Sequence, residues 1–206
     1  MYVVLASSLV AGSLDLEDAD YSFLGEMPGD AAGSIVSGAG DVDGDGLDDI
    51  LIGAPFNDEV DDKSGKAYLI LASSLDPLGP TDLEDADYGF LGEVEDDYAG
   101  RALAGAGDVD GDGLDDILIG APHTNNLGTG QAYLLLGSSI GASTTIDLTS
   151  ADYTFTGEGG DDRAGIGVAG AGDVNGDGLD DILVGAFAND DGGTTAGKAY
   201  LFLGGF

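Results

Sequence analysis

Cysteine is absent from the 206 residues and histidine occurs once. No disulfide can form, and neither a thiolate zinc site nor a cysteine nucleophile is available. The one histidine, His123, has no serine or acidic partner at a triad or zincin spacing, so an exposed loop histidine is expected. Basic residues are scarce as well: 5 Lys and Arg stand against 40 Asp and Glu, a formal charge of -35. A field of that sign repels nucleic-acid phosphates and anionic membrane surfaces and favours cations. Apolar runs are short; none approaches the ~18 residues that a membrane helix requires. No segment carries the 3.6-residue apolar period of a surface helix over about 10 residues. The opening Met1 to Ala6 lacks a basic segment, so no export signal is visible.

What is abundant is repetition. Asp15 to Tyr21 superposes on Asp82 to Tyr88 and on Asp147 to Tyr153, at spacings of 67 and then 65 residues. Each period holds four apolar segments bounded by Gly, Asp, Asn or Pro, the pattern of short strands, so an all-β fold is expected. Ala99 to Gly107 and Ala164 to Gly172 are built from small residues that let backbones crowd, as on the innermost strand of a propeller blade. Ile50 to Ile52, Ile117 to Ile119 and Ile182 to Val184 are continuously apolar and should be buried on both faces. Segments beginning at Tyr68, Tyr133 and Tyr200 give a third strand. Phe23, Phe90 and Phe155, with Tyr21, Tyr88 and Tyr153, mark an outer one.

Between the first and second of these strands lies an acidic loop: Asp41 to Asp49, Asp108 to Asp116 and Asp173 to Asp181. Oxygen-bearing side chains fall at relative positions one, three, five and nine around a glycine pivot. Hard oxygen ligands at that spacing suit Ca²⁺, which takes six to eight oxygens in a flexible shell. An acidic turn with no ion is the alternative for a single loop, since Asp and Gly are common turn residues; three copies in one strand context favour the ion. An EF-hand or dockerin loop would need an acidic residue at position twelve and flanking helices. Position twelve is Ile52, Ile119 or Val184.

The run Gly-Asp-Val-Asp-Gly-Asp-Gly-Leu-Asp-Asp-Ile-Leu-Ile-Gly-Ala-Pro, preceded by Ala-Gly, resembles the FG-GAP repeat of integrin α-subunit propellers and their bacterial relatives. The resemblance covers nearly the whole chain. Ala32-Gly33, Ala99-Gly100 and Ala164-Gly165 stand for the Phe-Gly of the pattern, and Gly53-Ala54-Pro55 and Gly120-Ala121-Pro122 for its Gly-Ala-Pro. The third copy departs with Gly185-Ala186-Phe187. The resemblance implies a β-propeller of four-stranded blades with one Ca²⁺ site per repeat. The implied ligands are Asp41, Asp43, Asp45, the Leu47 carbonyl and Asp49; Asp108, Asp110, Asp112, the Leu114 carbonyl and Asp116; and Asp173, Asn175, Asp177, the Leu179 carbonyl and Asp181. Asp48, Asp115 and Asp180 are expected behind the ligands or facing solvent.

Outside the loops, Arg101 and Arg163 each follow an Asp pair and are expected to form local charge pairs. Glu26, Glu93 and Glu158 recur once per repeat. That placement favours a structural role over paired carboxylates for glycoside hydrolysis.

Met1 to Leu9 matches Ala67 to Leu75, so the third strand type occurs four times and the others three. Residues 1–26 then supply two strands of a preceding blade, 32–93 and 99–158 are blades, and 164–206 is a last blade without its outer strand. Propellers typically close with about four to eight blades. The expectation is a segment of a larger ring, or a homo-oligomer in which Tyr21 to Gly25 of one chain completes the last blade of another.

The expected function is a non-enzymatic, calcium-binding interaction or adhesion scaffold. It is placed extracellularly because modest calcium sites fill there. A protein or carbohydrate ligand would contact the loops Asn57 to Ser64, His123 to Thr129 and Asn189 to Ala196. The rival expectations are a propeller module of an extracellular carbohydrate-active enzyme or lectin, and an excised or designed repeat module with no ligand but calcium.

Overall fold

The computed structural model describes residues 1–3, 5, 15–76, 79–124, 128–141 and 143–206. Part of the Met1 to Leu9 match, and residues 125–127 of the second variable loop, lie outside the described residues. Strands β1 (Tyr2–Val3) and β2 (Tyr21–Leu24) pair antiparallel, Tyr2 opposite Ser22. The next sheet starts with β3 (Ile35–Gly40), β4 (Asp49–Ala54) and β5 (Lys66–Ile70), each antiparallel to the last, with Gly38 opposite Ile50 and Ile50 opposite Ile70. The chain then returns along the preceding sheet, where β6 (Thr81–Asp82) runs parallel to β2, before β7 (Tyr88–Leu91) completes the blade against β5.

The same meander repeats in β8 (Ala102–Gly107), β9 (Asp116–Ala121), β10 (Gln131–Leu135) and β12 (Tyr153–Thr156). Between β10 and β12, β11 (Thr145–Asp147) adds itself parallel to β7, Ile146 opposite Phe90. A final sheet comprises β13 (Ala164–Gly172), β14 (Asp181–Ala186) and β15 (Lys198–Phe202). The protein is all-β, with no α-helix among the described residues, and its sheets form an incomplete propeller.

The added parallel strands β6 and β11 were not expected. Each is two or three residues long, too short to carry a period-2 signal, yet each fastens one blade to the outer strand of the previous one. Gaps between blades are filled by alternation along the strands. Leu51 and Leu69 point one way, into a layer with Phe90, Leu103, Ile117, Ile119 and Tyr133. Their neighbours Ile52, Tyr68 and Ile70 point the other way, against Phe23 and Leu83. Leu118, Leu134 and Ile182 form the third layer. At roughly 1.5–3 kcal/mol for each large side chain removed from water, these inter-blade layers are the main stabilising element.

The expected burial of the second strands holds for Leu51, Ile52, Ile117 to Ile119, Ile182 and Val184; Ile50 is only half-buried, and Leu183, on the last sheet, is 38% exposed with no further sheet against it among the described residues. The inner strands β3, β8 and β13 lie side by side. A Cβ on Gly105 would sit 2.7 Å from the Ala39 carbonyl oxygen, so this approach requires glycine.

Candidate metal centre

The strands place all three acidic loops at one end of the blades, because β3, β8 and β13 enter them and β4, β9 and β14 leave them. Within each loop, carboxylates fold the chain by accepting backbone N–H bonds two or more residues on. Asp43 accepts from the Asp45 amide at 3.0 Å, Asp45 from Leu47 at 2.8 Å, and Asp41 from Gly46 at 3.0 Å. In the second loop Asp110 accepts from Asp112 at 3.0 Å, Asp112 from Leu114 at 2.9 Å, and Asp108 from Gly111 and Gly113 at 2.7 and 3.0 Å. The third copies this with Asn175 accepting from Asp177 at 2.8 Å and Asp177 from Leu179 at 3.0 Å.

The ninth residue of each loop has a different task. Asp49 accepts from the Val42 amide at 3.0 Å with one oxygen and from Ala72, beyond the third strand, at 2.9 Å with the other. Asp116 does the same with Val109 and Gly137, and Asp181 with Val174 and Gly204. All three are buried, so they tie the loop to the sheet interior. Burial pushes the Asp116 carboxyl up to about 6 against the opposing Gly137 and Val109 bonds, and the charges of Asp110 and Asp112 add to the rise. Asp49 is raised by burial too, with Asp43 and Asp45 contributing. Asp173, which is exposed, is held below the usual carboxylate range by the Gly178 amide and then by those of Gly176 and Asp177.

Two clusters result. Asp41, Asp43 and Asp45 each offer an oxygen within 4.8 Å of the others, and so do Asp108, Asp110 and Asp116. Asp49 and Asp112 stand beside these groups rather than within them. Among the described residues no three carboxylates of the third loop converge to that distance. There the Asn175 amide nitrogen donates to Asp177 at 2.7 Å, placing a donor where the other loops have an oxygen. Asp41 Oδ1 is buried and has no hydrogen-bond partner. A buried, unpartnered carboxylate oxygen beside two like charges fits a hard cation, and oxygen-only donors suit Ca²⁺ or Mg²⁺ rather than a soft metal.

Of the three residues expected behind the ligands or facing solvent, Asp48 is exposed, while Asp115 and Asp180 each stand behind the first acidic residue of the preceding loop. Asp115 Oδ2 accepts from the Asp41 amide at 2.8 Å, while the Asp115 amide donates to the Asp41 carbonyl at 3.1 Å. Asp180 repeats both bonds with Asp108, each at 3.1 Å. That the contact crosses from one loop to the next was not read from the sequence, where its only signal is the Asp-Asp at positions eight and nine of every copy.

At the opposite end of the strands, the recurring glutamates are structural. Glu26 and Glu59 clamp Lys66 at 2.8 and 2.6 Å, Glu158 and Asp191 clamp Lys198, each as close as 2.7 Å, and Glu93 instead accepts from the Tyr133 hydroxyl at 2.8 Å. The expected charge pairs of Arg101 and Arg163 do not form: among the described residues neither guanidinium has an ion-pair partner, and Arg163 lies over the Phe187 ring at 5.6 Å. Nor is His123 free in solvent. It is half-buried with its ring 4.8 Å from that of Tyr98, and burial lowers its pKa.

Blades carrying an acidic loop between first and second strands, repeated three times along the chain, define a propeller-type repeat module. The FG-GAP repeat profile matches residues 32–70, 99–135 and 164–202. The chain is 34% identical to integrin alpha-PS2 of Drosophila melanogaster over 73% of its length, and 32% identical to integrin alpha-IIb of Homo sapiens over 90% and to integrin alpha-5 of Xenopus laevis over 82%. It spans 11%, 18% and 16% of those proteins. The chain belongs to the FG-GAP repeat family.

Proposed function

We propose that this chain is a calcium-dependent, non-enzymatic interaction module of adhesion type that works outside the cell. In this reading residues 1–206 form one propeller segment with blade boundaries at 1–26, 32–93, 99–158 and 164–206, and the ring is closed by further blades or by a second copy. The observation that carries the calcium assignment is the buried, unpartnered Asp41 Oδ1 beside Asp43 and Asp45. When bound, the ion supplies the positive charge that these clustered carboxylates lack.

The chain's own groups do the remaining work. The glycines at 44, 46, 111, 113, 176 and 178 turn the loop, with positive φ at each. Asp49, Asp116 and Asp181 anchor it, and in this reading the Leu47, Leu114 and Leu179 carbonyls would complete the oxygen set. Integrin relatives support an adhesion role. The formal net charge of -35 favours cations, and extracellular calcium modules work at roughly 10⁻⁴ to 10⁻³ M, which supports the location.

Calorimetric titration of chelator-stripped chain with Ca²⁺ tests the assignment. Uptake at two strong sites and one weaker one is expected, with a higher melting temperature. No heat at millimolar Ca²⁺, together with an unchanged melt, would overturn it.

A further inference from the structure

The end of the blades opposite the acidic loops holds both arginines of the chain in one cleft. Its volume is about 490 Å³. Arg101 and Arg163 line it together with Phe56, Tyr98, His123 and Phe187. The setting is unusual for this protein, because 40 acidic residues are available and each described lysine is paired with at least one of them. Among the described residues neither guanidinium is so paired. The nearby Asp96 is already engaged by Lys63 at 3.5 Å and by the Tyr98 hydroxyl at 2.9 Å.

The internal repeats separate what the fold requires from what this cleft adds. Ala31, Tyr98 and Arg163 occupy one repeat position and share a left-handed backbone, with φ of 56°, 57° and 55°. The flanking Asp30-x-Ala32-Gly33, Asp97-x-Ala99-Gly100 and Asp162-x-Ala164-Gly165 do not change. Ser34, Arg101 and Ile166 share a second position, and Phe56, His123 and Ala188 a third. Constant residues serve the blade. The left-handed backbone, shared by all three copies, belongs to the blade; the side chains that diverge at these equivalent positions yet line one cleft are what the cleft adds. The cleft is also partly apolar: Phe56 is 43% exposed and Phe187 52%, with the Phe56 and Tyr98 rings edge to face at 5.7 Å.

We propose that this cleft captures a carboxylate of a partner polypeptide flanked by apolar side chains, with Arg101 and Arg163 holding the carboxylate and Phe56, Tyr98 and Phe187 packing its neighbours. Guanidinium forks match carboxylate geometry, and aromatic faces with arginine are the residue types enriched at interface anchor points. A polyanion such as a sulfated polysaccharide is disfavoured, because its further charges would lie against the acidic surface around the cleft. The proposal rests on the reading of the chain as an interaction module but not on the calcium assignment, which calorimetry tests separately.

Two arginines give two Nε–Hε cross-peaks in the spectrum of the ¹⁵N-labelled full chain in excess Ca²⁺. The probes are the peptide acetyl-Gly-Phe-Asp-Phe-Gly-amide, its Asn counterpart, acetyl-Gly-Phe-Phe with a free C-terminus, and heparin. Both arginine peaks are expected to shift saturably with the Asp peptide, the free acid or both, with a dissociation constant near ~1 mM, and about tenfold more weakly with the Asn peptide. The comparison of the two carboxylate peptides distinguishes a side-chain carboxylate from a chain terminus. Arg101→Gln and Arg163→Gln should each weaken binding about tenfold while the rest of the spectrum stays folded. Peaks unmoved by either carboxylate peptide, an equal response to the Asn peptide, or tighter binding of heparin would each overturn the proposal.

Discussion

Asp115 and Asp41, 74 residues apart, exchange hydrogen bonds: the Asp115 carboxylate accepts from the Asp41 amide at 2.8 Å, and the Asp41 carbonyl accepts from the Asp115 amide at 3.1 Å. The first residue of one acidic loop is thereby fixed by the eighth residue of the next. Replacing Asp115 with Ala strips a partly buried N–H of its acceptor, which costs about 1–2 kcal/mol. Asp180→Ala should behave alike through Asp108. Asp48, exposed and without such a partner among the described residues, should tolerate Ala within about 0.5 kcal/mol. Denaturant unfolding of the three variants in saturating Ca²⁺ checks the order; equal losses at all three positions would refute the inter-blade role.

Gly40 makes room for that contact. A Cβ there would lie 2.1 Å from Asp115 Oδ2, at a φ of +83°, whereas one at the repeat-equivalent Gly172, φ +68°, meets nothing within 4 Å. Ala at Gly172 therefore carries only the left-handed backbone penalty, about 1 kcal/mol. Ala at Gly40 adds a clash with the latch, about 1–3 kcal/mol more. The difference between the two melts isolates the steric part, and Asp115→Ala in the Gly40→Ala background should recover some of it.

The strands and the acidic loops were legible because their signals are local: a Gly-Ala strand, a continuous apolar strand such as Ile117 to Ile119, and carboxylates at fixed spacing between them. The carboxylates of the loops were legible in composition but not in arrangement. Nothing in Asp49 distinguishes it from Asp41 until burial and the Val42 and Ala72 amides are seen. What lay between blades was not legible. Thr145 to Asp147 pairs with Tyr88 to Leu91 across a separation that no local pattern records, and Arg101 and Arg163 meet only because two blades are adjacent.

The third loop should hold calcium least tightly. Asn175 replaces a carboxylate and turns its amide nitrogen toward Asp177 at 2.7 Å, so binding requires that contact to break and leaves one negative charge fewer. Asn175→Asp should raise affinity at this site about tenfold, which is ~1.4 kcal/mol. Calorimetry should then resolve three similar sites in place of two and one. An unchanged isotherm would show that the amide is not what limits the third loop.

Asp97 supplies a pH-dependent test within the second blade. In the flanking blades an asparagine amide caps the equivalent carboxylate: Asn57 donates to Asp30 at 2.8 Å and Asn189 to Asp162 at 2.9 Å. The second blade has Thr124 instead, whose hydroxyl donates to the Ala121 carbonyl at 2.8 Å, and Asp97 Oδ1 is left buried without a partner. Burial pushes the Asp97 carboxyl up to about 6, the Glu93 charge adds to the rise, and the Val94 and Glu93 amides oppose it. An unfolded aspartate titrates near ~3.9, so between about pH 4 and 6 the native chain holds a proton that the unfolded chain has released. The stability owed to this group is therefore greatest below about pH 4 and lost as pH rises through about 6. Thr124→Asn restores the missing donor in a site that already accommodates asparagine in two other blades. It should stabilise the chain by about 1–2 kcal/mol at pH 7 and progressively less toward pH 4, where a protonated Asp97 no longer needs it. Urea unfolding of both chains from pH 4 to 8 in constant Ca²⁺ reads this difference directly, since carboxylates common to both cancel; a gap independent of pH would reject the assignment to Asp97.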